Sequence, residues 1–321
     1  MTATRGDLGL VRTRRLVQAS MDLRFRLAPG DRPLVAPGES VVAGSPIAER
    51  LRDPRLAEVE LTPGDHIRPG ARTSDGELLF DWRGRWRVAT GDVAEPVETP
   101  VAGIVREVRP GSAIVISAAG RAMPGLVALG GPTRGRLHIV AGSDAELRPG
   151  SLDVGLAGTI LVVGSRVDAE TLTRARAMGV RGIIVGGLAS KERRDFQASE
   201  RRQRAALHRL APFAVLVLEG AIRRPLAGAV VAMLRALAGR EVAIVTDPPA
   251  LLFDAGEVTL PTPPPDVVRI RGGPLAGRVG TWSGLLGPRR FAGGVHLEAA
   301  AVHFEDGRTL AVPLGDLERF V

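Results

Sequence analysis

Residues 159–187 read TILVVGSRVDAETLTRARAMGVRGIIVGG. Two short apolar runs in it, Thr159 to Val163 and Gly182 to Val185, are rich in β-branched residues and too short for core helices. Each reads as a buried strand. Between them Asp168 opens a helical pattern whose orphan amides its carboxylate can cap, and Gly179 follows Met178 to close it. The alternation continues. Phe213 to Leu218 and Val242 to Val245 are further short apolar runs. Ser190 to Leu210 is a long, charged helical pattern, and Pro225 to Leu237 is an apolar one ending before Gly239. Strands alternating with helices predict a four-stranded parallel sheet covered by helices, a small parallel α/β three-layer domain over residues 151–250.

Upstream the period changes. Residues 1–20 form a basic N-terminal segment, and residues 21–150 read as a β-rich domain. Pro-Gly turns recur there at Pro29, Pro37, Pro63, Pro69, Pro110, Pro124 and Pro149, with short β-branched runs between them. Two stretches look like related halves: PLVAPGESVVAGSPIA at 33–48 and TPVAGIVREVRPGSAI at 99–114. Their Gly, Pro and Val spacing resembles the barrel-sandwich, or biotinyl/lipoyl-like, fold, and the N-terminal part of RnfC-type electron-transport subunits is similar. The resemblance implies a barrel-sandwich domain. It does not bring carrier chemistry, because no lysine occurs in residues 1–190 and an arginine guanidinium is a poor amine nucleophile. Neither covalent biotin nor lipoate is expected.

Downstream, LPTPPPD at 260–266 favours an extended, stiff conformation, so residues 251–265 read as a proline-rich linker. Residues 266–321 read as a small β module. Its opening VVRIRGGPLAGRVGT at 267–281 resembles a KOW motif, as found in the five-stranded barrels of NusG-type elongation factors and several ribosomal proteins. Ala300 to Phe304 and Thr309 to Pro313 flank Glu305-Asp-Gly-Arg308 as a hairpin, and Leu314 to Phe320 supplies a short turn and a last strand. The expected fold class is therefore multi-domain α/β plus β, with a barrel-sandwich domain, an α/β domain and a C-terminal five-stranded KOW-type barrel. The chain is similar to uncharacterised bacterial multi-domain proteins that end in such a module.

Composition removes many chemistries. The 321 residues include no cysteine and no tyrosine, and Lys191 is the single lysine. Disulfides, thiolate nucleophiles, iron–sulfur ligands and cysteine zinc sites are excluded. A Walker phosphate loop needs Gly-Lys-Ser/Thr, which Ala189-Ser-Lys-Glu192 does not supply. The five histidines, His66, His138, His208, His296 and His303, are scattered without metal-ligand spacing. Gly164-Ser165-Arg166-Val167 sits where a serine-hydrolase elbow would, but lacks the second glycine. No cofactor is implied. No apolar run reaches membrane-spanning length and no signal-peptide stretch opens the chain, so the expectation is a cytoplasmic protein.

The formal charge is +8, nearly all of its positive side arginine, and is unevenly spread. Residues 151–250 carry +6 and residues 1–30 carry +4, whereas the remaining blocks are each −1. The densest cationic run is the helix around Lys191, Arg193, Arg194, Arg201, Arg202, Arg204 and Arg209, which reads either as a basic stripe for RNA or as a solvated face with local ion pairs. A second candidate is FDWRGRWR at 80–87, where Trp82 and Trp86 interleave with arginine or pack as an ordinary hairpin. The third is Arg271, Arg278, Trp282, Arg289 and Arg290 around the KOW-like loops. Relatives of that motif bind RNA or protein, so the resemblance implies contact more than reaction. Gly164, Ser165, Gly186 and Gly187 follow parallel strands and offer either an anion cradle at the sheet's carboxyl edge or tight turns; Glu219 and Asp247 lie at that same edge. A non-catalytic binding or scaffold role, with RNA or the transcription–translation machinery, is preferred. A ligand sensor or enzyme at the sheet edge, and an assembly protein without a small ligand, stay open beside it.

Overall fold

The helix signals of the 159–187 stretch are realised in the computed structural model of the protein, which describes residues 7–27, 31–51, 56–58, 72–73, 76–80, 86–89, 94–206, 212–254, 256 and 258–321. Helix α1 spans Ala169–Ala177. The Asp168 carboxylate accepts from the Thr171 amide at 2.7 Å, and the chain leaves the helix through Gly179 at φ 85°. Helix α2 spans Ser190–Ala206, and α3 spans Gly228–Ala236.

These helices cover an eight-stranded sheet. Its order is Arg121–Pro124, Pro249–Phe253, Glu241–Thr246, Thr133–Ile139, Thr159–Val162, Gly182–Gly187, Ala214–Gly220 and Val127–Gly130. The central block is parallel from 133–139 through 214–220. The sheet is thus larger than the expected four strands, and mixed. The run at 241–246 lies antiparallel to 133–139, with Glu241 opposite Arg136 and Ile244 opposite Thr133. The fourth parallel strand comes from 133–139, a segment whose Arg-Gly-Arg sequence hid it among the residues read as part of the β-rich domain. Strands 121–124 and 127–130 likewise join this sheet, and so does 249–253, at the start of the expected linker.

Two apolar layers follow from strand alternation. On one face Leu137, Ile160, Val162, Ile184, Leu216 and Ile244 pack under Val230, Met233 and Leu234 of α3. On the other, Leu161, Val163, Ile183, Val185 and Val215 pack under Leu172 of α1 and Phe196 of α2. Where the antiparallel strands extend that second face, Ala243, Val245, Ala250 and Leu252 are covered by N-terminal strands through Leu23, Phe25, Ile114 and Ile116.

The N-terminal β region holds a four-stranded sheet, Met21–Arg26, Ala113–Ala118, Gly103–Arg109 and Ser40–Val41, and a three-stranded one, Ala94–Glu98, Pro46–Leu51 and Arg32–Pro33. The two related stretches meet here, with Gly103 opposite Val41 and Ile104 opposite Ser40. A further four-stranded sheet uses 56–58, 86–89, 76–80 and 72–73.

The C-terminal sheet has six strands: Arg12–Arg14, Leu317–Phe320, Val267–Ile270, Val279–Arg290, His296–His303 and Thr309–Pro313. Five come from the expected module. The sixth, Arg12–Arg14, belongs to the segment read as a separate basic tail and pairs parallel with Leu317–Phe320. Gly280 is needed where the strands cross: a Cβ there would lie 2.6 Å from Val302 Cγ1 and 2.7 Å from the His303 carbonyl oxygen. Among the described residues no helix is long and apolar enough to cross a membrane.

Candidate functional site

Helix α2 is anchored by one side and bare on the other. Phe196 is fully buried, its ring 5.8 Å from that of Phe213, with the Arg176 guanidinium 5.4 Å above it. Glu192 Oε2 accepts from the Ala169 amide at 2.8 Å, supplying α1 with a second N-terminal acceptor. Arg176 donates to Gln203, and Thr173 faces Ser199. These contacts fix the rotation of α2 about its axis.

The fixed rotation exposes Lys191, Arg193, Arg194, Arg201 and Arg202. None of the five forms an ion pair or side-chain hydrogen bond with another described residue. At 3.6 residues per turn, Lys191, Arg194, Arg201 and Arg202 share an arc of about 100°, some 16 Å long at 1.5 Å per residue. Ala198 lies between them, and Asp195 is the acidic residue at the margin. Arg193 points about 80° away from Arg201 by the same count. Their exposure is what both a basic stripe and a solvated helix face require. The Arg204 side chain and all of Arg209 lie outside the described residues, as do Trp82 and the Trp86 side chain.

The sheet's carboxyl edge is filled by its own loops. A Cβ on Gly164 would overlap the carbonyl oxygens of Gly142 and Ala145. On Gly186 it would overlap the Arg224 carbonyl, and on Gly187 that of Ile222. The Ser165 hydroxyl donates to the Asp144 carbonyl at 2.9 Å and accepts from Arg223 Nε at 3.1 Å. The four residues, which the sequence offers either as an anion cradle or as tight turns, pack closely against loops 142–145 and 222–224. Asp247 is not at this edge: it follows an antiparallel strand and so lies at the opposite end of the sheet, where it pairs with Arg26 at 2.9 Å on the surface.

Glu219 is enclosed. Its Oε2 accepts from Arg269 Nη1 at 2.5 Å and from Arg14 Nη1 at 3.0 Å. Arg269 also donates to Glu318 Oε1 at 3.4 Å and to the Pro225 carbonyl at 3.3 Å, while Arg14 Nη2 donates to the Leu218 carbonyl at 2.9 Å. Arg271 approaches Glu318 Oε2 at 3.5 Å. The side chains of Arg269 and Glu219 are 1% and 3% exposed. This cluster ties the C-terminal sheet to the end of strand 214–220. Pattern reading missed it, although one signal was present: a charged residue inside the apolar run Val267-Val-Arg-Ile270, and another ending Phe213 to Leu218.

The KOW-like set is divided by the fold. Arg278 lies 4.3 Å over the Phe304 ring and donates to Asp306 at 2.8 Å, and Arg308 donates to the same carboxylate at 2.7 Å. The hydrogen bonds from Arg308, then that from Arg278, hold the Asp306 carboxyl well below the ordinary carboxylate range. Arg271 is engaged with Glu318. Trp282 is buried in the module's core with Val268, Val302 and Phe304, so it offers no face to a base. Arg289 and Arg290 remain exposed, on the two-stranded end of the hairpin, where Arg289 faces Leu297 and Arg290 faces His296 beyond the reach of strand 309–313.

An apolar groove of about 250 Å³ lies between α3, at Ala229 and Ala232, and the wall made by Pro261, Pro263 and Phe320. Among the described residues there is no group of three or more His, Asp or Glu side chains placed to hold a metal. No protein-family model and no curated protein matches the sequence.

Proposed function

We propose that this protein is a non-catalytic binding scaffold whose α2 face takes the phosphate backbone of RNA. The observation that carries the reading is the row of unpaired cations, Lys191, Arg194, Arg201 and Arg202, on a helix whose other side is locked to the sheet. A cation already paired inside the protein would have to break that pair to meet a phosphate; these four would not. The close approach of loop backbone to Gly164, Gly186 and Gly187, which leaves no room for even a Cβ, weighs against a small-ligand site there.

On this reading the C-terminal sheet is a KOW-type barrel and the Met21–Ala118 sheets are a barrel-sandwich fold that has no carrier lysine. The pairing of the two related stretches at Val41 and Gly103 supports the second assignment. The protein acts in the cytoplasm beside the transcription–translation machinery. A second reading, a protein-assembly contact, is favoured at one place: the hairpin end, where Val295 and Leu297 are exposed next to Arg289 and Arg290.

Filter binding of a labelled RNA transcript at rising salt tests the proposal. Retention should weaken steeply with salt and be lost in K191Q/R194Q/R201Q/R202Q. Salt-independent retention, or none at low salt, refutes it.

A further inference from the structure

Resting on the phosphate-binding reading of α2, we infer that the phosphate track does not end on that helix. It crosses α1 at Arg174 and continues into a cationic furrow on the sheet, floored by Arg136 and His138. The furrow arises because two covers stop short of each other. On the face under α1 and α2, strand 159–162 is covered through Leu161. Strand 241–246 on the same face is covered by the N-terminal strands through Ala243 and Val245. Strand 133–139 pairs with both and lies between them. Thr133, Gly135 and Leu137 are buried, Leu137 beneath α3, so alternation turns Arg134, Arg136 and His138 to the opposite face, where all three are exposed.

A sheet strand covered on both faces carries apolar side chains on both. Here one face of an interior strand carries three basic residues in alternate positions. Two strand spacings, about 10 Å, separate the borders of this strip. Arg134 is already engaged: its Nε lies 3.2 Å from Oε2 of Glu241, the acidic side chain bordering the strip. Arg136, opposite Glu241 in register, makes no ion pair and no side-chain hydrogen bond with another described residue, and neither does His138. Arg136 thus meets the criterion that singles out the α2 cations: a phosphate can reach it without breaking an internal pair.

Arg174 joins the two places. Glu192 meets the Ala169 amide, Ser199 faces Thr173 and Gln203 accepts from Arg176, so α1 and α2 run side by side in one direction with sequence offsets of 23, 26 and 27. That register sets Arg174 level with Arg201. Arg174 is exposed and has no ion pair among the described residues, not even with Glu170 one turn before it. Strand order places the strip on the side of α1 away from α2, since 133–139 neighbours 159–162 while 214–220 lies beyond 182–187. Segment 149–156, which connects those first two strands, brings one acidic side chain, Asp153, whose carboxylate caps the Gly155 amide. The helix α1 is about 10–12 Å across. A nucleic-acid strand, with a phosphate about every 3.4 Å along its axis, spans that width in three or four phosphates. A small anion cannot touch both sides, so the occupant that fits is a phosphate polymer.

Filter binding of the labelled RNA transcript to the full chain at several salt concentrations tests the track. R136Q and R174Q should each shallow the log–log salt slope by about one, as R201Q does, because each removes one phosphate contact. R235Q makes the same charge change on α3, on the other face of the sheet, and should leave the slope unchanged. Adding unlabelled transcript should shift the His138 ring resonances in NMR, identified by their loss in H138Q. Those of His303, which bonds to Thr309 on the C-terminal sheet, should stay in place. If R136Q or R174Q melts below the parent, the His138 shift in the parent chain decides instead. A stable R136Q or R174Q with the slope of R235Q, or an unmoved His138, overturns the track; loss of retention in K191Q/R194Q/R201Q/R202Q then leaves the α2 reading standing. No retention by the parent chain at low salt overturns both.

Discussion

Replacing Arg269 by methionine removes the charge that sits between Glu219 and Glu318 while keeping most of the side-chain volume. Glu219 would retain only Arg14, and Glu318 only Arg271. Taking one partner from a buried ion pair costs about 3–5 kcal/mol, because the remaining charge stays out of water without compensation. Arg14 still touches Glu219 Oε2, so the lower end, about 3 kcal/mol, is expected. For a chain of this size that corresponds to a fall in melting temperature of roughly 4–5 °C. Urea unfolding followed by far-ultraviolet circular dichroism and by tryptophan fluorescence measures it, and both probes should move together if the C-terminal sheet and the central sheet unfold as one unit. R26M is the control. Its pair with Asp247 has a normal length, but Arg26 is 80% exposed, so its loss should cost at most about 1 kcal/mol. The double variant E219Q/R269M should cost less than the two single changes added, by about 0.5–3 kcal/mol of coupling. An R269M chain within 0.5 kcal/mol of the parent, or strict additivity in the double variant, refutes the view that this cluster joins the modules.

Other substitutions probe separate parts of the fold. Gly164→Ala should destabilise by about 1–3 kcal/mol, since the new methyl must displace loop backbone and not a flexible side chain; a neutral result in chemical denaturation would mean that loop 142–145 is not seated on the strand end. Phe196→Ala should cost about 3–5 kcal/mol and release α2 from the sheet, read as lost amide protection along residues 190–203; protection retained there would place the helix anchor elsewhere. The Asp306 carboxyl should titrate well below an ordinary aspartate in carbon-detected NMR, and Arg308→Gln should move it upward. Its folded-state pKa is depressed, so whatever stability it contributes is present at neutral pH and disappears only as acid protonates the native carboxyl. An Asp306 that titrates normally would remove the basis for this assignment.

The parallel core was legible because its residues obey simple periods. Ile160, Ile183 and Val215 sit in short, doubly buried runs, and Asp168 and Gly179 bracket a helix by capping chemistry that needs no long-range information. Strand 133–139 was hidden for the opposite reason. Its buried residues, Thr133, Gly135 and Leu137, include only one large apolar side chain, so alternation gives almost no signal until its neighbours are known. Gly135 is small because the Gly158 carbonyl approaches it, a contact made across the sheet and not along the chain. At the candidate site, the sequence held the cations of α2 but not their orientation. Which arginines are bare follows from where Phe196, Glu192 and Gln203 dock. Local pattern placed Trp282 among exposed arginines, whereas the strand crossing at Gly280 turns it inward.

The pairing of Arg12–Arg14 with Leu317–Phe320 has a temporal consequence. During synthesis the first of these strands must wait, unpartnered, until its mate, about 300 residues further along the chain, has left the ribosome. Its companion salt link from Arg14 to Glu219 cannot lock the assembly before then in its final form. Closure of this seam is accordingly a contact of high sequence separation that follows the emergence of the central sheet's strands, and a bulky insertion directly before residue 12 or after residue 320 would obstruct it while leaving the central sheet able to form.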